Sequence, residues 1–352
     1  MGDTDSWGCM QIRYAVAGMP IQHSLSPVLA VLTATHLKQA GLEVQLEENC
    51  LLESDDVTSP MAWAWVNKKR NQIEVHNPLY GDPSTPTSHS RLHRLASLVM
   101  SNVKTADPAH VSHGETLFHR GEERIKTRRG ESESWISLTS PLKHLLSTRS
   151  GVHSIDDSLE NGAVNQLRWD GNNWYCAGTD GHGLVSIARH FGFDFELTGI
   201  EAPLLCMIGG GGSARSCAAA WSNAGGVIWS MDGRRPLDKR GPWVQNLISG
   251  DDVVGNIGKR LFVDFDTKAG GSDSNRSTVA DLYLSTSYNS QEVGFVVEQI
   301  ESGFQLDGRW LLAAQHLEAW ARFFSPEAAH LLPGLGLTMT RLLAMESALR
   351  AD

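Results

Sequence analysis

The stretch that decides the fold is Leu204-Leu205-Cys206-Met207-Ile208-Gly209-Gly210-Gly211-Gly212-Ser213-Ala214-Arg215. Five apolar residues read as a short buried strand, the glycines as a tight turn, and Ser213 to Asn223 as a helix. A dinucleotide pyrophosphate needs such a turn: backbone without Cβ atoms and free N–H groups at a helix N-terminus. The run is not a complete G-x-G-x-x-G, because Ser213 and Ala214 follow the fourth glycine. Its setting between strand and helix is what makes it a cofactor loop rather than an ordinary glycine-rich bend.

Working outward, Val227 to Ser230 and Leu261 to Phe265 read as further strands, and Trp310 to Phe323 and Leu337 to Leu349 as closing helices. Asp232 follows the strand after the glycine loop, where the adenosine ribose is read. A carboxylate there favours the free 2′-OH of NAD, whereas Arg234 and Arg235 suit the 2′-phosphate of NADP. The choice between NAD and NADP stays open at this point.

The first half has its own α/β pattern. Arg13 to Gly18 is a strand, Ser26-Pro27 opens a helix that closes near Gly41, and Leu42 to Leu46 alternates as a second strand. That order predicts a parallel sheet. Val164 to Tyr175 reads as a hairpin with Asp170-Gly171 at its turn, and a helix follows from about Gly181 to Phe191.

Between them, Asn67 to Ser134 differs in composition. It holds 11 Lys or Arg against 8 Asp or Glu, a net of +3 in a chain whose formal net charge is -10, and six of the 14 histidines. Asn77 to Ser90 reads as loop, and Ser90 to Lys104 as a helix with Leu92, Leu95, Leu98, Val99 and Val103 on one face. Asp107 to Ser134 reads as exposed and mobile. The whole stretch is taken as an insertion, and His89, His93, His110 and His113 in it lack convincing acidic or cysteine partners for a metal.

Composition narrows the functional classes. The chain has 352 residues, 41% hydrophobic and 20% charged, enough for two cores. Its acidity argues against a nucleic-acid partner. Five cysteines without a C-x-x-C suggest neither a disulfide framework nor zinc, and fit a reducing, cytoplasmic setting. No apolar run reaches the roughly 18 residues of a membrane span, and Met1 to Met10 has no secretory apolar core. Gly2 with Ser6 formally fits an N-myristoylation pattern, without a second anchoring signal.

Further motifs occur in order. Gly18-Met19-Pro20-Ile21-Gln22-His23-Ser24-Leu25-Ser26-Pro27 sets two hydroxyls at a helix N-terminus, suited to a carboxylate. Then come Ser137-Leu138-Thr139-Ser140-Pro141-Leu142-Lys143, Gly162-Ala163-Val164-Asn165, Gly178-Thr179-Asp180-Gly181, the glycine loop, and Asp307 to Gln315. Together they resemble the shikimate dehydrogenase family, which carries G-x-P-I-x-H-S-x-S-P, N-V-T-x-P-x-K, G-A-x-N, N-T-D-G, a G-x-G-G loop and a C-terminal glutamine in this order. The likeness runs from Tyr14 to Gln315 and leaves out the insertion and the last helix.

The resemblance implies an α/β substrate domain over 1–180, completed by 311–352, and a Rossmann-type NAD(P)-binding domain over 181–310. It implies reversible, NAD(P)-dependent reduction of 3-dehydroshikimate to shikimate. Lys143 and Asp180 would be the catalytic pair, and Ser24, Ser26, Thr139, Asn165 and Gln315 would bind substrate. Gly209, Gly211, Gly212, Ser213, Ala214 and Arg215 would surround the cofactor phosphates. Independently, a lysine tuned by burial and a carboxylate can take and return the hydroxyl proton of such a reaction.

The departures are Ser137 and Gly178 where asparagine is usual, Trp310 where glycine is common, and no tyrosine in the D-x-x-Y place at Asp264 to Thr267. A quinate/shikimate dehydrogenase of the same family, or a non-catalytic binding relative, are the alternative readings. Oligomeric state is not legible.

Overall fold

The computed structural model describes residues 9–65, 75–104, 132–266, 279–289 and 297–351. Gly2, Ser6, His110, His113 and the stretch 107–131 lie outside them. The chain divides into two compact units: Met1–Glu160, Val164–Ala177 and His316–Asp352 form the first, Asn161–Ala163 and Gly178–Gln315 the second.

Unit 1 is built on β1 (Met10–Gly18), α1 (Ser26–Gln39), β2 (Val44–Glu53), α2 (Thr58–Trp65), α3 (Pro86–Asn102), β3 (Ser132–Leu138), β4 (His153–Ser154), β5 (Gln166–Trp169) and β6 (Trp174–Ala177). Its sheet runs β2-β1-β3-β5-β6-β4. β1 pairs in parallel with both β2 and β3, whereas β5 is antiparallel to β3 and to β6. The β5–β6 hairpin turns at Asp170-Gly171 as expected: Gly171 takes φ +96°, which suits glycine, and Asp170 Oδ1 accepts the Asn172 and Asn173 N–H groups.

A central strand of a parallel sheet is covered on both faces, and β1 is accordingly buried along almost its whole length. Trp135 on β3 stacks on Phe324 at 4.8 Å and meets Trp320 edge-on. Beside it, Glu133 and Arg168 form a fully buried ion pair at 2.8 Å. Trp135 Nε1 also donates to Glu133, and Arg168 Nη1 donates to the Phe323 carbonyl.

The stretch taken as an insertion is partly core. α3 begins at Pro86, four residues earlier than its apolar spacing predicts, because Thr85 caps it by accepting the Ser88 N–H. Leu92, Leu95, Ala96, Val99 and Met100 are buried against α1 and the C-terminal helix, whereas Leu98 is 52% exposed and does not share that face. Ser132 to Ser134 belong to β3, with Glu133 and Ser134 buried, so the expected exposed segment ends before them.

Unit 2 contains α4 (Asp180–His190), β7 (Leu204–Ile208), α5 (Gly212–Asn223), β8 (Val227–Met231), α6 (Gly250–Gly255), β9 (Arg260–Asp264), β10 (Leu282–Ser285), β11 (Val297–Ile300), β12 (Gly303–Leu306) and most of α7 (Gly308–Ala319). The strand order is β8-β7-β9-β10-β12-β11, parallel throughout except for β11. This is a doubly wound order, with the topological switch between β7 and β9. α7 runs into a π-helical turn, Trp320–Phe324, and α8 (Leu335–Ala351) closes unit 1 against α1 and α3.

No described helix is long and apolar enough to cross a membrane. All five cysteines are free thiols, four of them buried. His89 and His93 meet edge to face with ring centroids 4.5 Å apart, and among the described residues no group of three or more His, Cys, Asp or Glu is placed to hold a metal ion.

Candidate functional site

In unit 1 the candidate substrate residues gather at one end of the sheet. β1 ends at Gly18 and its parallel neighbour β3 at Leu138, with Ala17 opposite Leu138. Thr139 N donates to the Ala17 carbonyl and Met19 N to the Ser140 carbonyl. The two motifs are thereby zipped together where their strands stop. The approach demands glycine at 18, since a Cβ there would lie 2.3 Å from Thr139 Cγ2 and 2.7 Å from the Ser140 oxygen. Lys143 sits on the single turn Leu142–His144 that follows. Asn165 is buried at the start of β5, where its carbonyl accepts the Leu138 N–H at 2.7 Å.

The serines reach the same place from β1. α1 begins at Ser26, with Leu25 rather than Ser26 at the cap position. Ser24 supplies the cap-like oxygen instead: its Oγ accepts the Ser26 N–H at 3.3 Å. The Ser24 carbonyl accepts from Asn77 Nδ2 at 3.1 Å and from the Tyr80 hydroxyl, so residues of the presumed insertion hold the serine loop.

Tyr14 is the residue that sequence reasoning missed. Its hydroxyl hydrogen-bonds Ser137 Oγ at 3.0 Å and also Ser26, and Ser137 donates to Gln166 Oε1 at 2.9 Å. A chain Ser26–Tyr14–Ser137–Gln166 therefore spans α1, β1, β3 and β5, with Thr139 and Asn165 one or two residues from its members. Burial pushes the Tyr14 pKa up to about 12, which keeps it a neutral hydroxyl. On a strand buried along almost its whole length, nothing local marks Tyr14 as different from a core tyrosine.

In unit 2, Asp180 is the first residue of α4 and 1% exposed. Gly181 lets α4 touch α5: a Cβ there would meet the Ser216 carbonyl at 2.0 Å, and the Gly181 N–H donates to Ser216 Oγ. Gly183 packs likewise on the Gln315 backbone, and Thr179 Oγ1 donates to the Gln315 carbonyl at 3.4 Å. Asp180 and Gln315 are thus neighbours within this unit although 135 positions separate them.

The glycine loop lies at the switch point. Gly209 has φ +100°, and a Cβ on Gly210 would meet the Pro236 carbonyl at 2.2 Å. Gly211, at the cap position of α5, has nothing within 4 Å of its Cβ direction. An open space above a helix N-terminus, closed behind by backbone that tolerates no side chain, fits a dinucleotide pyrophosphate. Gly212, Ser213 and Ala214 form the first turn of that helix. Arg215 Nη2 donates to the Gly162 carbonyl at 2.9 Å, and its pKa is lowered by burial and then by Arg235. Asp232 and Arg235 are exposed. Arg234 instead contacts Asp266: its backbone N–H donates to the carboxylate and its guanidinium to the Asp266 carbonyl.

These features define the class: a two-unit α/β protein with a six-stranded sheet in each unit and, in the second, a doubly wound sheet carrying a dinucleotide-type glycine loop. The fold is the shikimate dehydrogenase fold. Against the dehydroquinate dehydratase and shikimate dehydrogenase protein of S. pombe the TM-score is 0.52 at 14% identity, covering 95% of this chain and 53% of that one. Shikimate 5-dehydrogenase from Thermus thermophilus, in complex with NADP(H) and shikimate, gives 0.47 at 18% identity, covering 97% and 99%. Mycobacterium tuberculosis shikimate dehydrogenase gives 0.46 at 14%, covering 94% and 98%. No protein-family model matches the chain, and no curated protein matches it in sequence.

Proposed function

We propose that the chain is a divergent shikimate dehydrogenase, which interconverts 3-dehydroshikimate and shikimate in the route to aromatic amino acids with NAD or NADP as hydride carrier. The observation that carries the reading is the gathering of Ser24, Ser26, Thr139, Lys143 and Asn165 at one end of the unit 1 sheet, with Tyr14 wiring Ser26 to Ser137. These positions come from three separate motifs of the family pattern, and a fold that merely shared an ancestor would have no reason to keep the polar set together.

In this reading Ser24 and Ser26 hold the substrate carboxylate at the start of α1. The helix dipole adds to their hydrogen bonds there. Tyr14, neutral at any working pH, orients Ser26. Thr139, Asn165 and Gln315 bind ring hydroxyls or the carbonyl. When shikimate is oxidised, a ring C–H bond breaks as hydride, the C–O bond becomes C=O, and Lys143 takes the hydroxyl proton; in reduction it returns that proton to the new alkoxide. Asp180 is the second member of the catalytic pair. A nicotinamide dinucleotide, when bound, accepts or supplies the hydride, with Gly209, Gly211, Gly212, Ser213, Ala214 and Arg215 around its phosphates.

The test is an absorbance assay of the purified full chain with shikimate and with quinate, each against NAD and NADP. Turnover of shikimate supports the reading, and turnover of quinate alone moves the chain to the quinate branch. Binding of shikimate without turnover by any cofactor supports the non-catalytic relative and overturns the enzyme reading.

A further inference from the structure

The acid expected to read the adenosine ribose is Asp232, which lies exposed just beyond β8. A different carboxylate occupies the ground between the cofactor loops. Just past the end of β9 the chain keeps to β7, with Phe265 N donating to the Ile208 carbonyl at 2.9 Å. Asp264 Oδ1 accepts the Asp266 N–H at 2.8 Å and fixes the next turn. The Asp266 carboxylate then lies on two glycines. A Cβ on Gly209 would be 2.9 Å from Oδ1, and one on Gly233 would be 2.6 Å from Oδ2. Oδ2 accepts the Arg234 N–H, and the Arg234 guanidinium approaches Oδ1 to 3.9 Å.

Asp266 therefore reaches from β9 across the switch point and bridges the loops that follow β7 and β8. In a doubly wound domain those two loops hold the pyrophosphate and the adenosine ribose. We propose that Asp266, rather than Asp232, reads the adenosine ribose and makes the chain select NAD over NADP. The inference rests on the cofactor reading given above and adds its selectivity.

The physical contest is between Asp266 and the two arginines. A carboxylate beside the 2′ position accepts a hydrogen bond from a free hydroxyl and repels a phosphate. Arg234 offsets this only in part, because its guanidinium donates to the Asp266 backbone carbonyl, stays 3.9 Å from the carboxylate and belongs to a side chain that is 70% exposed. Arg235, whose charge lowers the Arg215 pKa, is itself exposed, so solvent screens it. The Asp266 side chain is only 18% exposed, where charge acts more strongly. The half-buried carboxylate wins over the exposed guanidinium.

The experiment is equilibrium binding of NADH and of NADPH to the full chain, followed by nicotinamide fluorescence, for the wild type and for Asp266→Asn, Asp232→Asn and Arg234→Ala. The wild type binds NADH more tightly. Asp266→Asn, which keeps an acceptor for the Arg234 N–H, shifts the NADH to NADPH ratio toward NADPH by about tenfold or more. Asp232→Asn leaves the ratio as it is, and Arg234→Ala does not weaken NADPH selectively. An unchanged ratio in Asp266→Asn, a shift in Asp232→Asn instead, or a wild type that prefers NADPH overturns the proposal while leaving a dinucleotide site in place. A chain that binds neither dinucleotide overturns the cofactor reading itself, and the selectivity with it.

Discussion

Replacing Gly18 by alanine tests whether the end of β1 positions Lys143, the proton carrier of the proposed reaction. The added Cβ would lie 2.3 Å from Thr139 Cγ2 and 2.7 Å from the Ser140 oxygen. Comfortable separation of carbon atoms is about 3.5–4.0 Å, so the overlap exceeds about 1 Å. The threonine methyl can rotate aside. The Ser140 carbonyl cannot, because it accepts the Met19 N–H while Thr139 N is bound to Ala17. Relief must come from moving residues 139–143 as a block, and Lys143 rides on that block. Overpacking of this kind costs roughly 1–3 kcal/mol of stability. A displacement of about 1 Å at a reacting group costs on the order of 10²-fold in rate. The expected result is a kcat on shikimate reduced by that factor, a modestly lower Tm, and unchanged NADH binding, since the cofactor loop belongs to the other unit. Wild-type kcat in a folded Gly18→Ala protein would refute the reasoning and place Lys143 outside the chemistry.

Other outcomes follow from the same geometry. Lys143→Ala lowers kcat by on the order of 10²-fold or more with a smaller change in KM, since proton transfer matters in the transition state; equal activity removes it from the mechanism. Tyr14→Phe deletes the hydroxyl between Ser26 and Ser137 and raises KM for shikimate by roughly one hydrogen bond, about 0.5–1.5 kcal/mol, with kcat nearly preserved; steady-state kinetics that show the loss in kcat alone contradict the carboxylate role of Ser26. Arg168→Met strands the buried Glu133 charge and destabilises the chain by about 3–5 kcal/mol in urea unfolding, most of it restored in the Arg168→Met, Glu133→Gln pair. His316 is buried and its pKa is lowered to about 3 from 6.5, so the unfolded chain takes up a proton that the folded one refuses. Its contribution is therefore complete above pH 6.5 and lost as pH falls toward 3; Tm measured against pH should decline over that range, less steeply in His316→Phe.

Much of unit 2 was legible because its signals are local. A strand of five apolar residues, a glycine run and a helix are contiguous, and the observed β7 and α5 fall at Leu204–Ile208 and Gly212–Asn223, within a residue of the reading. The Asp170-Gly171 turn is equally local. What escaped depends on partners far along the chain. α2, at Thr58–Trp65, carries Pro60 and two tryptophans and gives no clean helical period; Arg13 anchors it by donating to the Trp63 and Ala64 carbonyls while lying 4.4 Å from the Trp63 ring. The stretch from Asn77 to Tyr80 reads as polar loop, but its asparagine and tyrosine find the Ser24 carbonyl more than fifty residues away. Polar composition predicts exposure only when no distant acceptor is waiting.

Ser137 shows why a departure from a family pattern need not be a loss. Against the pattern alone, serine in place of asparagine looks like erosion of the substrate pocket. In the fold its hydroxyl both meets Tyr14 and donates to Gln166, so it completes a polar chain from α1 to β5. An asparagine puts a bulkier carboxamide where the serine has its hydroxyl and would crowd a buried tyrosine hydroxyl already at 3.0 Å from the serine oxygen. The serine and the tyrosine therefore form one adapted unit. Exchanging Ser137 for asparagine alone should weaken shikimate binding, and adding Tyr14→Phe to it should recover part of the loss by making room. Strict additivity of the two changes in KM would mean that the hydroxyls do not act through each other.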